Sequence, residues 1–188
     1  MLLINVVMVE FAKRDLVQAK VHSAQLLIRA LEQNLVQLSG FRQRDLTDLV
    51  SEIQYEKSLA RVLDEGNFSG AVIVGSRGEP LIAAGSITKA NTLDSFLARR
   101  AMETKMGSIN YSGSAWGVIW LSYKEFRISE PLLFEGYSLG GITITGSLTP
   151  IYQALRKSEK VILFYIILDT MFIVLVGIYL LSRIVVNH

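Results

Sequence analysis

GAVIVGSRGEPLIAAG, residues 70–85, is the stretch where the periodicity of the chain changes from helical to strand-like. Two short runs of small and apolar residues flank Ser76-Arg77-Gly78-Glu79, and the glycine supplies the backbone freedom that a tight turn needs. The stretch therefore predicts a β-hairpin. It separates a helical first part of the chain from a sheet-forming second part.

Two helices are predicted before this hairpin. Apolar residues recur at heptad spacing and predict a long helix from about Phe11 to Leu38, which ends at Ser39-Gly40. The repeating positions are Val17, Val21, Ala24, Ile28, Leu31, Leu35 and Leu38. A second helix is predicted over about 43–63. This regular apolar face of the helix, its seam, can pack on the same domain or on a partner subunit. We expect both kinds of contact, at different points along its length.

The residues after the hairpin predict one more helix and three more strands. The helix is expected to begin at Asn91 or Thr92 and to end by Gly107, where the helical pattern stops. The strands are expected over about 115–123, 126–134 and 141–147. Together these elements predict an α+β domain in which long N-terminal helices pack with an antiparallel sheet of about five strands.

VILFYIILDTMFIVLVGIYLL, residues 161–181, is an almost unbroken apolar run whose one ionisable residue is Asp169. About 21 residues at about 1.5 Å each span roughly 31 Å, which matches the hydrocarbon core of a bilayer. The run predicts a C-terminal transmembrane helix. Thr149 can cap a helix that has Pro150 at its first position, so residues 150–182 are predicted to form one continuous helix that includes the span.

The ends of the chain are expected to lie at the same membrane. Met1–Val9 is strongly apolar but too short to span, so residues 1–10 are interpreted as the remnant of a first membrane segment. The alternative is a short apolar turn packed on the domain. The domain itself is expected over 11–149, and residues 183–188 are expected to begin a cytoplasmic linker.

The composition excludes several classes of chemistry. The 188 residues include 19 Lys and Arg against 17 Asp and Glu, a net charge of +2 that is scattered along the chain and gives no support for nucleic-acid binding. There is no cysteine, and the only histidines are His22 and His188. Thiolate chemistry, a histidine-based metal cluster and a Ser-His-Asp triad are therefore not expected. No phosphate-binding or dinucleotide motif is present, so the chain is predicted to be no enzyme and to hold no cofactor.

The order of these blocks resembles a known family. A short apolar start, a long helix, a second helical element, a five-stranded sheet and EPLLFEGYSLGGITITGSLTPIYQAL (residues 130–155) lead without a break into the apolar helix. Residues 180–186 are similar to the junction where a HAMP linker begins. The whole resembles the extracytoplasmic single-Cache or PAS-like sensor domain of a bacterial transmembrane receptor of the sensor histidine kinase type, ending before a HAMP-like linker.

The resemblance implies a function. The chain would be the signal-input module of a two-component receptor in the bacterial inner membrane, with its sensor domain periplasmic or extracellular. It would sense a small molecule or stress, form a homodimer through its helical seams, and signal through the membrane helix to a cytoplasmic output domain outside this chain. Arg156, Lys157 and Lys160 precede the span, whereas only Arg183 follows it, so local charge favours the opposite orientation. The alternative is a membrane-anchored assembly or scaffold protein without a small-molecule ligand.

The resemblance also suggests a ligand site. PAS-like sheets hold ligands between the central strands and the helix that crosses them, which makes Tyr111, Trp116, Trp120 and Arg127 candidate ligand-binding residues. The aromatic rings would stack on the ligand or contact its cation, and the arginine would bind a carboxylate. The alternative is that both tryptophans are core residues and that Arg127 is solvated.

Three residues of the C-terminal helix are candidates for signal transmission. Pro150 opens the helix, and Asp169 and Thr170 lie in its apolar run. A carboxylate near the middle of a bilayer costs at least about 2.5 kcal/mol, so Asp169 is expected to face a partner helix. The alternative is a protonated carboxyl that is tolerated against lipid or a helix.

Overall fold

The computed structural model describes residues 2–40, 53–85, 92–116, 121–134 and 137–186. These ranges contain four helices and five strands. The elements are α1 (Leu2–Gly40), α2 (Ile53–Glu65), β1 (Gly70–Gly75), β2 (Pro80–Gly85), α3 (Thr92–Thr104), β3 (Ser108–Trp116), β4 (Leu121–Phe134), β5 (Tyr137–Ser147) and α4 (Thr149–Val186). The predicted α+β class, with long helices on an antiparallel five-stranded sheet, is confirmed.

The sheet has the strand order β2-β1-β5-β4-β3, and every neighbouring pair is antiparallel. The predicted hairpin is the β1–β2 pair. Its turn is closed by the Gly75 N–H, which donates to the Glu79 carbonyl over 2.9 Å, and Gly78 has a φ of 79°. Because β5 lies between β1 and β4, the last strand of the sheet joins its two halves.

Three strand predictions were wrong in their boundaries, and β5, predicted over 141–147, begins earlier, at Tyr137. Residues 115–123 do not form one strand, since β3 ends at Trp116 and pairs back onto β4 from Leu121, with 117–120 outside the described residues. Alternation of large residues looks the same in two arms of a hairpin as in one strand, which explains the error. The sequence also predicted a gap between two strands at residues 124–125. The gap is absent, since β4 continues through the charged residues Lys124 and Glu125.

Helix α1 packs on one face of the sheet through the predicted heptad. Val21, Ala24, Ile28, Leu31 and Leu35 are all buried against their own domain. Helix α1 also begins earlier than predicted, at Leu2. The described part of α2 begins at Ile53, so the predicted start of that helix near residue 43 lies outside the described residues.

Helix α3 covers the opposite face of the sheet and lies very close to it. Val72, Val74 and Ala98 form a small apolar cluster between them. At Gly141 of β5, a Cβ atom would lie 2.1 Å from the Ala98 carbonyl oxygen, so only glycine allows this approach. The helix begins at Thr92 as predicted, and it ends at Thr104 before Lys105, whose φ is 53°.

Helix α4 follows β5 after a single residue and runs without a break from Thr149 to Val186. The Tyr152 N–H donates to the Leu148 carbonyl over 3.2 Å, so Leu148 rather than Thr149 occupies the cap position. Pro150 is tolerated because first-turn N–H groups have no helical partner. Among the residues whose placement is described, no helix has an apolar stretch long enough to cross a membrane. Several side chains of residues 161–181 lie outside the described ones. The membrane span predicted there stays a prediction.

Candidate functional site

A buried charged cluster lies between α3 and the sheet. The Arg127 Nε donates to Asp94 Oδ1 over 2.7 Å, its Nη2 donates to Glu125 Oε2 over 3.1 Å, and its Nη1 donates to the Ser112 hydroxyl. Asp94 is completely buried and Arg127 is 8% exposed. The cluster thus joins the first turn of α3 to strands β3 and β4.

The period of β4 places Arg127 on this face. Phe126 and Ile128 point into the core under α1. The residues that alternate with them, Arg127 and Ser129, therefore point toward α3. Asp94 lies in the first turn of its helix, where a negative charge interacts favourably with the helix dipole. The sequence therefore brings the two charges together by strand alternation on one side and helix position on the other.

Two buried polar atoms at this face have no hydrogen-bond partner among the described residues. They are Asp94 Oδ2 and Thr145 Oγ1. Thr145 lies directly opposite Arg127 in the β4–β5 register. Nearby, the Ser129 and Thr143 hydroxyls bond each other at 2.8 Å, so the same face also contains a satisfied pair. Buried unpaired polar atoms cost about 1–3 kcal/mol each, which makes them candidates for atoms that a ligand satisfies.

The charge balance of the cluster is negative. Arg127 contributes one positive charge, and its two ion-pair partners, Asp94 and Glu125, are both acidic. Every nitrogen of the guanidinium is already bonded to protein. The described ranges contain no group of three or more His, Asp or Glu residues that suits a metal ion. Three of the five guanidinium N–H groups thus have protein acceptors, and Asp94 Oδ2 is an unpartnered acceptor beside them.

The structure separates the four predicted ligand-binding residues. Arg127 belongs to the α3 face, but it is ion-paired and not solvated as the alternative supposed. Tyr111 pairs with Phe126 and lies on the opposite face. The Trp116 side chain and all of Trp120 lie outside the described residues, so their assigned roles stay predictions.

Sequence reasoning missed Asp94 and Thr145. An aspartate in the first turn of a helix is typical of helix stabilisation, and a threonine in GITITG is typical of a strand. Neither pattern carries a functional signal by itself. Of the proposed transmission residues, Pro150 and Thr170 are exposed, and the Asp169 side chain lies outside the described residues.

No protein-family model matches the chain, and no curated protein matches it. Among solved structures, the ligand-binding domain of the Campylobacter jejuni chemoreceptor Tlp3 in complex with L-norvaline is 11% identical, with a TM-score of 0.51. That match covers 78% of this chain and 58% of the Tlp3 domain. The chain has the fold of a Cache/PAS-like sensor domain.

Two further structures have lower TM-scores and add no argument of their own. The ligand-binding domain of the Pseudomonas aeruginosa amino acid chemoreceptor PctC with GABA is 14% identical, with a TM-score of 0.49 over 79% of this chain and 65% of that one. The sensor domain of the V. cholerae histidine kinase DctB is 12% identical, with a TM-score of 0.40 over 74% and 57%. All three are described as ligand-binding or sensor domains.

Proposed function

We propose that this chain is the ligand-sensing input module of a membrane receptor, and that its ligand is a small molecule with an ammonium group. The observation that carries the proposal is the buried, unpartnered Asp94 Oδ2 in a cluster where one arginine is already ion-paired with two carboxylates. An ammonium group is a charged donor with up to three N–H bonds. It would satisfy Asp94 Oδ2 and balance the negative charge of the cluster.

A ligand with only a carboxylate fits this cluster less well. It would have only the two remaining N–H groups of Arg127 to bond, and it would add a third anion to one cation. An anion placed beside the completely buried Asp94 is unfavourable, even though Glu125 is half exposed to water. An amino acid or a small amine is therefore favoured over a simple organic acid. The Tlp3 domain, in complex with the amino acid L-norvaline, agrees with this choice.

A short path connects the site to the C-terminal helix. Thr145 lies in β5, only one residue separates β5 from α4, and α4 continues to Val186. A ligand that bonds Thr145 and Asp94 would fix α3 against the strand that leads into α4. Such a ligand shifts signalling only by its differential affinity for two arrangements of these elements. Pro150, Asp169 and Thr170 remain our candidates for carrying the shift onward.

The proposal places α4 in a membrane. Large apolar side chains of α4 are exposed over about four helical turns, as expected for contact with lipid or a partner helix. They are Phe164, Ile167, Leu168, Met171, Phe172, Ile173, Val174, Leu175, Val176, Ile178 and Tyr179. We propose residues 161–181 as the span, residues 11–149 as the extracytoplasmic domain of a homodimer, and a two-component output domain beyond the span.

The test is a ligand screen on the whole chain in detergent. Thermal unfolding is followed with amino acids, small amines, and carboxylic acids matched in size but without an amino group. A ligand at about 100 times its Kd stabilises a protein by about 2.7 kcal/mol, so binding is visible as a raised Tm. We expect amines or amino acids to raise the Tm and the matched acids to leave it unchanged.

Two variants locate the effect. Asp94→Asn replaces an acceptor with an amide that carries donors, and we expect it to abolish the Tm shift. Asp15→Asn changes an exposed aspartate of α1 and should bind as the wild type does. Stabilisation by acids alone, or full binding by Asp94→Asn, would contradict the proposed ligand class. Absence of any ligand effect would favour the scaffold alternative.

A further inference from the structure

A second cavity, of about 410 Å³, lies on the other face of the sheet. One wall is a single stripe of α1, where Glu10, Lys13, Arg14, Val17 and Gln18 recur at helical spacing. The other walls are tyrosines: Tyr111 of β3, Tyr123 of β4 and Tyr152 of α4. The cavity therefore lies where both long helices meet the outer strands of the sheet. None of the four residues of the Arg127 cluster lines it, although Tyr111 directly precedes Ser112 of that cluster.

The charge of this cavity is positive. Lys13 Nζ lies 3.2 Å from Glu10 Oε1, so these two charges largely cancel. Arg14 is exposed and forms no ion pair with any residue in the described part of the chain. The cavity thus contains one uncompensated guanidinium, with the Gln18 amide one helical turn away on the same stripe. An anion is the complementary occupant.

The tyrosines add an aromatic platform. The Tyr111 and Tyr123 rings stack with centroids 5.3 Å apart at 29°, yet the two residues are 41% and 56% exposed. Tyr152 also lines the cavity, with the Lys13 ammonium 6.0 Å from its ring centroid. Exposed stacked rings beside a cation suit a ligand that has both an anionic group and an apolar or flat body.

We infer that this cavity binds an organic phosphate, either free or as the headgroup of an anionic lipid. Phosphate is favoured over carboxylate by the number of donors, because the Arg14 guanidinium, the Gln18 amide and the phenol groups of Tyr111 and Tyr123 border one space. A carboxylate has two oxygens to accept them, whereas a phosphate group offers at least one more. Arg14 pairs with the phosphate, and the Tyr111–Tyr123 stack packs against the body of the ligand.

Occupation of the cavity would connect α1, the β3–β4 pair and the start of α4 through one ligand. The phosphate would therefore modulate the molecule from a site that is independent of the α3 face. The inference does not depend on the ligand proposed for Asp94.

The experiment measures binding to the full chain in detergent with two probes. Phenyl phosphate represents a free organic phosphate, and mixed micelles with phosphatidylglycerol represent an anionic lipid, with phosphatidylcholine micelles as the neutral comparison. We expect at least one probe to raise the Tm. Arg14→Gln should weaken that binding at least about tenfold, since it removes a charge-assisted contact. Arg100→Gln, which changes an exposed arginine of α3, is the matched control.

Tyr123→Leu tests the platform separately, and we expect it to weaken phenyl phosphate binding while leaving the far-UV circular dichroism unchanged. Binding of phenyl phosphate that is lost in Arg14→Gln supports a free phosphate as the ligand. Binding of phosphatidylglycerol alone, with the same loss, supports a lipid headgroup. Binding of neither probe, or binding that Arg14→Gln and Tyr123→Leu leave intact, would overturn the inference.

Discussion

The two faces of the sheet differ in kind, although they are built from the same strands. Under α1 and α2, β4 and β5 contribute Phe126, Ile128, Ile142 and Ile144, all completely buried. Under α3, the alternate residues of the same strands are polar or charged. They are Arg127, Ser129, Thr143 and Thr145. Strand alternation therefore makes one face apolar and the other polar, and we propose that the polar face is the one that recognises a ligand.

The polar face also has more unpartnered buried polar atoms than the apolar core, against which the Tyr55 hydroxyl is the one such atom among the described residues. Asp94 Oδ2 and Thr145 Oγ1 are buried on the polar face without a partner in the described ranges. A chain selected for stability alone would gain by replacing such groups with apolar ones of similar shape. These unpaired groups lower the stability of the folded domain. We interpret them as part of a binding site that the domain keeps despite that loss. The following predictions test this difference between the faces.

Phe126→Ala on the apolar face should have the largest effect. The side chain is fully buried against α1 and contacts Phe68 edge-on at 6.5 Å, so its removal leaves a cavity and should cost about 3–5 kcal/mol. Urea unfolding of the full chain measures the change. Phe96→Ala removes the same atoms from α3, where Phe96 is 57% exposed, and should cost far less. Equal losses in the two variants would mean that the apolar face is not the main core.

Arg127→Met should rank second. It leaves Asp94 buried without its ion-pair partner, which typically costs about 3 kcal/mol or more. Adding Asp94→Leu removes the buried, unpaired carboxylate, so the double variant should be more stable than Arg127→Met alone. Unfolding free energies of the four proteins in this cycle give the coupling. Strictly additive losses would show that the two residues do not depend on each other.

Glu130→Gln should produce a pH-dependent change on the apolar face. Burial raises the pKa of Glu130 above its ordinary value of 4.5, Glu32 also raises it, and Arg29 opposes the shift. The folded state therefore binds a proton that the unfolded state releases, so the wild type loses stability as pH rises from 4.5 through the folded pKa. The glutamine of Glu130→Gln has no proton to lose, so the stability of this variant relative to the wild type should rise over that pH range. Unfolding midpoints from acidic to neutral pH measure this gain, and a constant difference would contradict the pKa direction.

Thr145→Val should have the smallest effect on stability. The side chains have nearly the same shape, and the hydroxyl is buried without a described partner, so the variant should match the wild type or gain less than about 1 kcal/mol. Ser129→Ala is the comparison on the same face, since it breaks the 2.8 Å bond to Thr143 and should lower stability. A clear loss in Thr145→Val would show that this hydroxyl has a partner in the folded protein.

Local patterns in the sequence predicted most of the fold. The heptad of α1 and the β1–β2 hairpin each depend on nearby residues, and both were confirmed. The strand boundaries near Trp116 were wrong because β3 begins with SINYSGS, which is polar and small and lacks the apolar alternation of a strand. The start of β3 is instead stabilised by pairing with β4, a contact that no local window contains.

The candidate site was harder to predict than the fold. Arg127 was identified, but its partner Asp94 is 33 residues away on another element, and only tertiary structure brings them together. Tyr111 was grouped with Arg127, whereas strand alternation places it on the other face. Sequence shows which residues carry chemistry, but the side of the sheet on which each one lies depends on register.

The most direct test of the central claim is the ligand-induced Tm shift of Thr145→Val beside that of the wild type. The ligand is the amino acid or amine found to stabilise the full chain most. If the α3 face is the binding face, the variant without ligand should unfold at or above the wild-type temperature, and its ligand-induced shift should fall markedly. An undiminished shift in Thr145→Val would contradict the assignment of ligand binding to this face.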